Sequence, residues 1–184
     1  ATVPESSIVN LKQHLIQSLR GLAETTSAST LESHARALLV LSLAEAPQAA
    51  YLNWMAEHAA LLTTASRAMV AAAIAHGNPA GAATARQLLT SKTSFTLTDD
   101  GWMPHSPDKA LELIAWLAID PDGPEATKTL DRLLNERNPY GHWRTTWANG
   151  WSLIAMGLYA ENEEGRGESV AINLETNDGT QAIH

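Results

Sequence analysis

The 184-residue chain contains no cysteine. Disulfides, cysteine-ligated zinc sites and thiol nucleophiles are therefore excluded within it. Aromatic residues make up only 5% of the sequence, so most of the packing has to come from Ala and Leu. Basic residues are few and scattered, with 12 Lys and Arg against 20 Asp and Glu and a formal net charge of -8. A nucleic-acid or anionic membrane surface needs a basic face, and no such face is expected here. No signal peptide is visible, and no apolar run is long enough to span a bilayer. The chain starts at Ala1 rather than Met, which points to a processed product or a piece of something larger.

What is abundant is helix-forming apolar sequence. The hydrophobic fraction is 45%, and the length suits one domain. Ala-rich segments favour helices and allow them to approach closely. Eight helices are expected, at roughly 5–23, 31–46, 48–61, 64–76, 79–91, 107–119, 124–137 and 145–160. Pro at the first helical position marks starts at Asn78-Pro79, Ser106-Pro107 and Gly123-Pro124. Ser29 followed by Glu32 reads as a capping box, and Thr145-Thr146 as a further cap.

The helices are of two kinds. "PEATKTLDRLLNER" carries Ala126, Leu130, Leu133 and Leu134 on one stripe, which predicts a surface helix. The first helix is similar, through Ile8, Leu11, Leu15, Leu19 and Leu22. By contrast "RALLVLSLA", "RAMVAAAIA", "ALELIAWLAI" and "NGWSLIAMGLYA" are apolar almost all round and are expected to lie between layers. Outer and inner helices alternate four times, with inner helices starting near 31, 64, 107 and 145. That pattern predicts stacked helical hairpins of irregular period.

Two inner helices follow a similar turn, "DDGWMPHSP" and "YGHWRTT". In each a Gly precedes a Trp just before the cap: Gly101 and Trp102 in the first, Gly141 and Trp143 in the second. A Trp beside a Gly turn can plug the space between successive hairpins, its indole N–H bonded to a carbonyl. Gly101, Trp102, Gly141, Trp143, Thr145 and Thr146 are accordingly read as structural turns and caps. Trp147 and Trp151 lie four apart and share a helix face, where packing is expected of them. Asp99-Asp100 before Gly101 suits a tight bend. The seven His (His14, His34, His58, His76, His105, His142 and His184) show no metal-binding spacing and are expected at exposed or hydrogen-bonded helix ends. No nucleophile elbow and no phosphate loop is present. No catalytic, cofactor or metal residue is therefore named.

Residues 168–184 change character. "ESVAINLETNDGTQAIH" alternates apolar and polar residues at Val170, Ile172 and Leu174 around Asn177-Asp178-Gly179. It predicts a β-hairpin leading into a following β-domain, with residues 1–167 forming the helical unit.

At "NPYGHWRTTWANGWSLIAMGLYAENEE" the chain resembles the bacterial α2-macroglobulin family. The resemblance rests on Gly141, Trp143, Thr145, Thr146, Ala148 and Tyr159-Ala160, with support from "SRAMVAAAIAHG" and "PDKALELIAWLAI". It covers roughly residues 5–168. It implies an all-α partial α/α toroid of about four hairpins, similar to the thioester domain of that family. The family's proteins are protease traps: cleavage of a bait region closes the molecule around the protease, and a Cys–Gln thioester can acylate it. Without a Cys this chain holds no thioester, so it starts after that segment or belongs to the branch that lacks it. The resemblance further implies a periplasmic or cell-envelope location and no enzymatic activity of its own. The implied partners are target proteases, through the full-length protein, and the rest of the same polypeptide. An open N-terminal edge at residues 5–46 is expected to be apolar and to associate with another copy or a missing segment.

Two other readings stand beside this one. Squalene-type terpene cyclases share the toroid and the Gly-x-Trp turns. Their aspartate-rich motif has one more Asp two residues before the pair, and here that position is Leu97 or Thr98. Protein prenyltransferases hold zinc with a Cys that this chain lacks. A helical-repeat scaffold that binds a protein partner would show a concave face lined by polar and aromatic residues.

Overall fold

A computed structural model describes residues 4–24, 27–91, 107–165, 172–176 and 179–183. Among them are eight α-helices: α1 (Glu5–Ser18), α2 (Ala28–Leu43), α3 (Ala49–Glu57), α4 (Thr64–Gly77), α5 (Ala82–Thr90), α6 (Asp108–Ile119), α7 (Pro124–Asn135) and α8 (Thr146–Gly165). Short 3-10 turns at Leu22–Glu24, Ala59–Leu61 and Pro79–Gly81 join some of them. Strands β1 (Ile172–Thr176) and β2 (Gly179–Ile183) pair antiparallel, with Ile172 opposite Ile183 and Thr176 opposite Gly179.

The helices form two layers. The inner row runs α2, α4, α6, α8, each packed on the next. In the outer layer, α1 rests on α2, α3 on α4, α5 on both α4 and α6, and α7 mainly on α6. Helix α4 is the centre. Every residue from Ala65 to Ala75 is buried. Six of these eleven are Ala, whose small side chains let α2, α3, α5 and α6 all approach one helix. Around it lie Leu31, Leu38, Leu39, Met55, Leu62, Leu113 and Ala115, all fully buried.

Several boundaries and burials depart from the sequence expectation. Helix α1 ends at Ser18 rather than near 23. Gly21 adopts φ +83°, a left-handed conformation that stops the helix. No residue within α1 is buried. Leu19 and Leu22, beyond its end, are fully buried, and Ile8, Val9 and Leu11 lie in water. Helix α2 begins at Ala28, so Ser29 lies inside it and no capping box forms. Ser29 Oγ pairs with Ser27 Oγ at 3.0 Å, and the Glu32 carboxylate accepts from Arg36 at 3.1 Å instead. Helix α3 stops at Glu57, where the His58 ring stacks on Trp54 with centroids 4.2 Å apart. Asn78-Pro79 opens a 3-10 turn rather than α5 itself, because Asn78 Oδ1 accepts from Ala80 N–H at 3.0 Å. On α7, Thr129 is buried in place of Leu130 and Leu134, which are only partly covered.

The largest correction concerns α8. Its sequence predicts burial on every side, yet only Ala148, Ser152 and Ala155 are buried. Leu153, Ile154 and Leu158 stand in water. As the last helix of the row it has α6 and α7 as neighbours along the stack.

The crowding at α4 gives a test. Ala71→Leu adds three methylene-sized groups where no space exists and is expected to cost about 1–3 kcal/mol. Ala83→Leu on the exposed side of α5 is expected to cost less than about 0.5 kcal/mol. Urea unfolding followed by circular dichroism distinguishes the two.

Candidate functional site

The turn before α8 is built around Asn138. Asn-Pro-Tyr-Gly has the composition of a type I turn, with Asn first, Pro second and Gly fourth. The Asn138 Oδ1 accepts from the N–H groups of Tyr140 at 2.9 Å and His142 at 3.3 Å. The Gly141 N–H donates to Asn138 O at 2.9 Å, and Asn138 N–H donates to His142 O at 3.0 Å. Gly141 sits at φ +83° with nothing within 4 Å of a built Cβ, so its backbone conformation, not its space, requires glycine.

Trp143 follows and is buried. Its indole N–H donates to the Leu133 carbonyl at 3.0 Å, near the end of α7, which also accepts from the Glu136 N–H at 3.2 Å. Its backbone is held from the other side: Trp143 N–H donates to Asn149 Oδ1 at 2.8 Å, and Asn149 Nδ2 donates to Trp143 O at 3.0 Å. Thr145 Oγ1 accepts from Ala148 N–H at 3.0 Å, which caps α8, and Thr146 is the first helical residue. One residue thus locks α7, the turn and α8 together. Gly101, Trp102, Asp99 and Asp100 lie outside the described residues, as do His105 and His184.

Trp147 and Trp151 project from the first turns of α8. Their rings meet edge to face with centroids 5.5 Å apart. The Arg36 guanidinium, from α2, lies 4.7 Å from the centre of the Trp147 ring. The same guanidinium donates to Glu32. Burial pushes the Glu32 carboxyl above its ordinary value of 4.5, Arg36 pulls it down, and Asp108 on α6 pushes it up again. Burial outweighs the ion pair. The Arg36 Nε is buried without a partner of its own. These contacts bring the N-terminal ends of α2, α6 and α8 to one place, as a seam of indole, guanidinium and carboxylate.

Further along the same end of the inner row, Arg67 is buried on α4. Its guanidinium donates to the Ala59 carbonyl from Nη2 at 2.6 Å and from Nε at 3.0 Å, and to Ser91 O at 3.0 Å. Burial lowers its pKa, but an arginine stays charged. It ties the α3–α4 link and the end of α5 to the core. Beside it lies a cavity of about 250 Å³ bordered by Leu88, Leu89, Lys109 and Glu112. Lys109 Nζ donates to Glu112 at 2.6 Å across its rim.

His34 was expected at an exposed or hydrogen-bonded helix end. It is buried in mid-helix, with Nδ1 unpartnered. His14, His58, His76 and His142 are exposed. No grouping of His, Asp and Glu that could hold a metal is found among the described residues.

Sequence reasoning missed Asn138, Asn149, Arg36 and Arg67. Asn138 had a signal in its turn composition. The other three act on partners at least four residues away, and Arg36 and Arg67 reach other helices, so no local pattern marks them.

Three outcomes are expected. Trp143→Phe removes the indole donor and also shrinks a buried ring, so it is expected to cost about 2–4 kcal/mol in urea unfolding. Gly141→Ala is expected to cost about 1–2 kcal/mol, since a side chain is strained at positive φ. The Glu32 carboxyl has a folded pKa above its unfolded value. The folded state therefore binds more protons between those two values, and stability falls as pH rises from about 4.5 through the folded pKa. In parallel unfolding series across pH, Glu32→Gln is expected to flatten that slope relative to the parent chain.

No family model, no curated protein and no solved structure matches the chain.

Proposed function

We propose that this chain is a structural and interaction module of a bacterial α2-macroglobulin-like protease inhibitor, serving as a non-catalytic part of a protease trap. The observation that carries this reading is the Trp143 anchor. The indole bonded to Leu133, between a positive-φ Gly141 and a Thr145 cap, gives the Gly-x-Trp-x-Thr-Thr signature a packing role rather than a ligand role. The alternation of outer and inner helices supports a toroid fragment with the hairpins as its units. Four hairpins are fewer than a closed toroid of this kind uses, so the N-terminal edge is a docking face. Ile8, Val9 and Leu11 at that edge are exposed, which suits contact with the rest of the same polypeptide or another copy. The β1–β2 pair is the entry into a following β-domain, since a lone hairpin is marginal in water. No thioester forms within a chain that lacks Cys. The location that goes with this role is the periplasm or cell envelope.

The full gene product tests the reading. It is expected to carry macroglobulin-type β-domains and a bait region, and to become more compact in small-angle scattering after a protease cuts that bait. A protease so trapped is expected to lose activity on large protein substrates while keeping it on short peptides. A gene product without bait region or macroglobulin β-domains would sink the proposal.

A further inference from the structure

Arg67 is the only Lys, Arg, Asp or Glu that is buried among the described residues, at 6% exposure. A buried charge is ordinarily held by an opposite one. None of the ion pairs among the described residues includes Arg67. Its partners are two neutral carbonyls: Ala59 O takes Nε–H and one N–H of Nη2, and Ser91 O takes one N–H of Nη1. A guanidinium has five N–H donors, so one on each Nη is uncommitted among the described residues. Burial works against the charged form, yet an arginine keeps its charge. The result is a buried cation with spare donors and no counter-ion.

Arg67 borders the cavity of about 250 Å³ between the starts of α4 and α6 and the end of α5. The other charged groups on its border are Lys109 and Glu112. Lys109 Nζ spends one of its three donors on Glu112. Two cations and one carboxylate leave a formal surplus of one positive charge there, in a chain whose formal net charge is -8. Asp108 and Glu136 belong to the same electrostatic neighbourhood but do not border the cavity. Thr64 opens α4 and Lys109 is the second residue of α6, so the positive ends of both helix dipoles add to the surplus. Leu88 and Leu89 give the same cavity an apolar border. Its volume lies below the roughly 300–1,000 Å³ of drug-sized sites, which limits an occupant to a few carbon atoms.

We propose that this cavity binds a small aliphatic carboxylic acid in its ionised form, with the carboxylate on the uncommitted Nη donors of Arg67 and the hydrocarbon tail against Leu88 and Leu89. The carboxylate supplies the counter-charge that the fold does not. Hydrogen bonds between a guanidinium and a carboxylate are about twice as strong as neutral ones, and a site with little water strengthens them further. Lys109 adds a second positive charge at the rim, and Glu112 opposes it. A neutral ligand would leave Arg67 without a counter-ion, and an inorganic oxyanion would leave the leucines unused. The site goes beyond the protease-trap reading and stands or falls independently of it.

Titration of the 184-residue chain with isovalerate near neutral pH, followed by proton–nitrogen NMR, is the test. The Arg67 Nε–H signal and the backbone amides of Thr64 and Leu89 are expected to move together and to saturate with a Kd of roughly 1 mM or below. Isovaleramide, the neutral isostere, is expected to bind at least about ten-fold more weakly, and so is phosphate at matched ionic strength. Lys109→Gln is expected to weaken isovalerate binding by about three- to ten-fold and Glu112→Gln to tighten it by a similar factor, both with an unchanged helical circular dichroism spectrum. Lys128→Gln, on the exposed side of α7, is expected to change nothing. These opposite shifts report charge at the cavity and would not arise from a loosened fold. Absence of a saturable shift at Arg67 overturns the proposal. So does equal binding of isovaleramide or phosphate, or a change of the same sign in Lys109→Gln and Glu112→Gln.

Discussion

The burial of α4 on all sides is the constraint on which the other elements depend. A helix with no exposed face between Ala65 and Ala75 can exist only when other helices cover it all round. The neighbours are supplied in chain order: α2 and α3 before it, α5 and α6 after it. Alanine makes this possible, because a bulkier helix would push its neighbours beyond packing distance. The few polar groups that this helix carries must be satisfied locally. Thr63 Oγ1 accepts from Ser66 N–H at 3.1 Å and donates to Ser66 Oγ at 2.9 Å, which closes the N-terminal end. Arg67 turns its charge onto two carbonyls that end neighbouring segments. The cap and the arginine together let an apolar helix begin in a buried place with its charge hydrogen-bonded.

The last hairpin uses a different device. There the chain has to turn from α7 into α8 and keep the two helices in register. Trp143 does so with one donor and one ring. The indole occupies apolar space, and its N–H donates to a carbonyl near the end of α7. Asn149 holds the same residue's backbone from within α8. A large side chain joins two elements at a modest entropic cost, because a Trp has only two side-chain torsions to fix.

The sequence revealed the alternation of helix types because that alternation is a statement about burial. A helix apolar all round has to be enclosed, and α2, α4 and α6 are. The same rule failed at α8, and the reason is physical. Apolar periodicity reports what a face could bury, but only the stack decides whether a neighbour arrives. Leu153 and Ile154 look like core from their composition and stand in water because of their position in the row. The Ser29–Glu32 pair failed for a related reason. A capping box competes with every other partner its Glu can reach, and Arg36, one turn on, lies within 3.1 Å. Gly141, Trp143 and Thr145 were legible because the turn, the plug and the cap are all local. Asn149, Arg36 and Arg67 were not, because their partners come from across the fold or from the far side of a turn.

A further consequence follows from the direction of the inner helices. Each outer helix returns the chain, so α2, α4, α6 and α8 run the same way. Their N-terminal ends gather on one side of the molecule, and the contact of Arg36 with Trp147 and the coupling of Glu32 to Asp108 both lie there. Parallel helix dipoles side by side concentrate partial positive charge at that end. Asp108 in the first turn of α6, with Glu112 one turn on and Glu32 early in α2, supplies negative charge against it. Burial raises the pKa of Glu32 in spite of Arg36, and Asp108 adds to the rise. Acidic residues at this end are thus a response to the stacking of parallel helices.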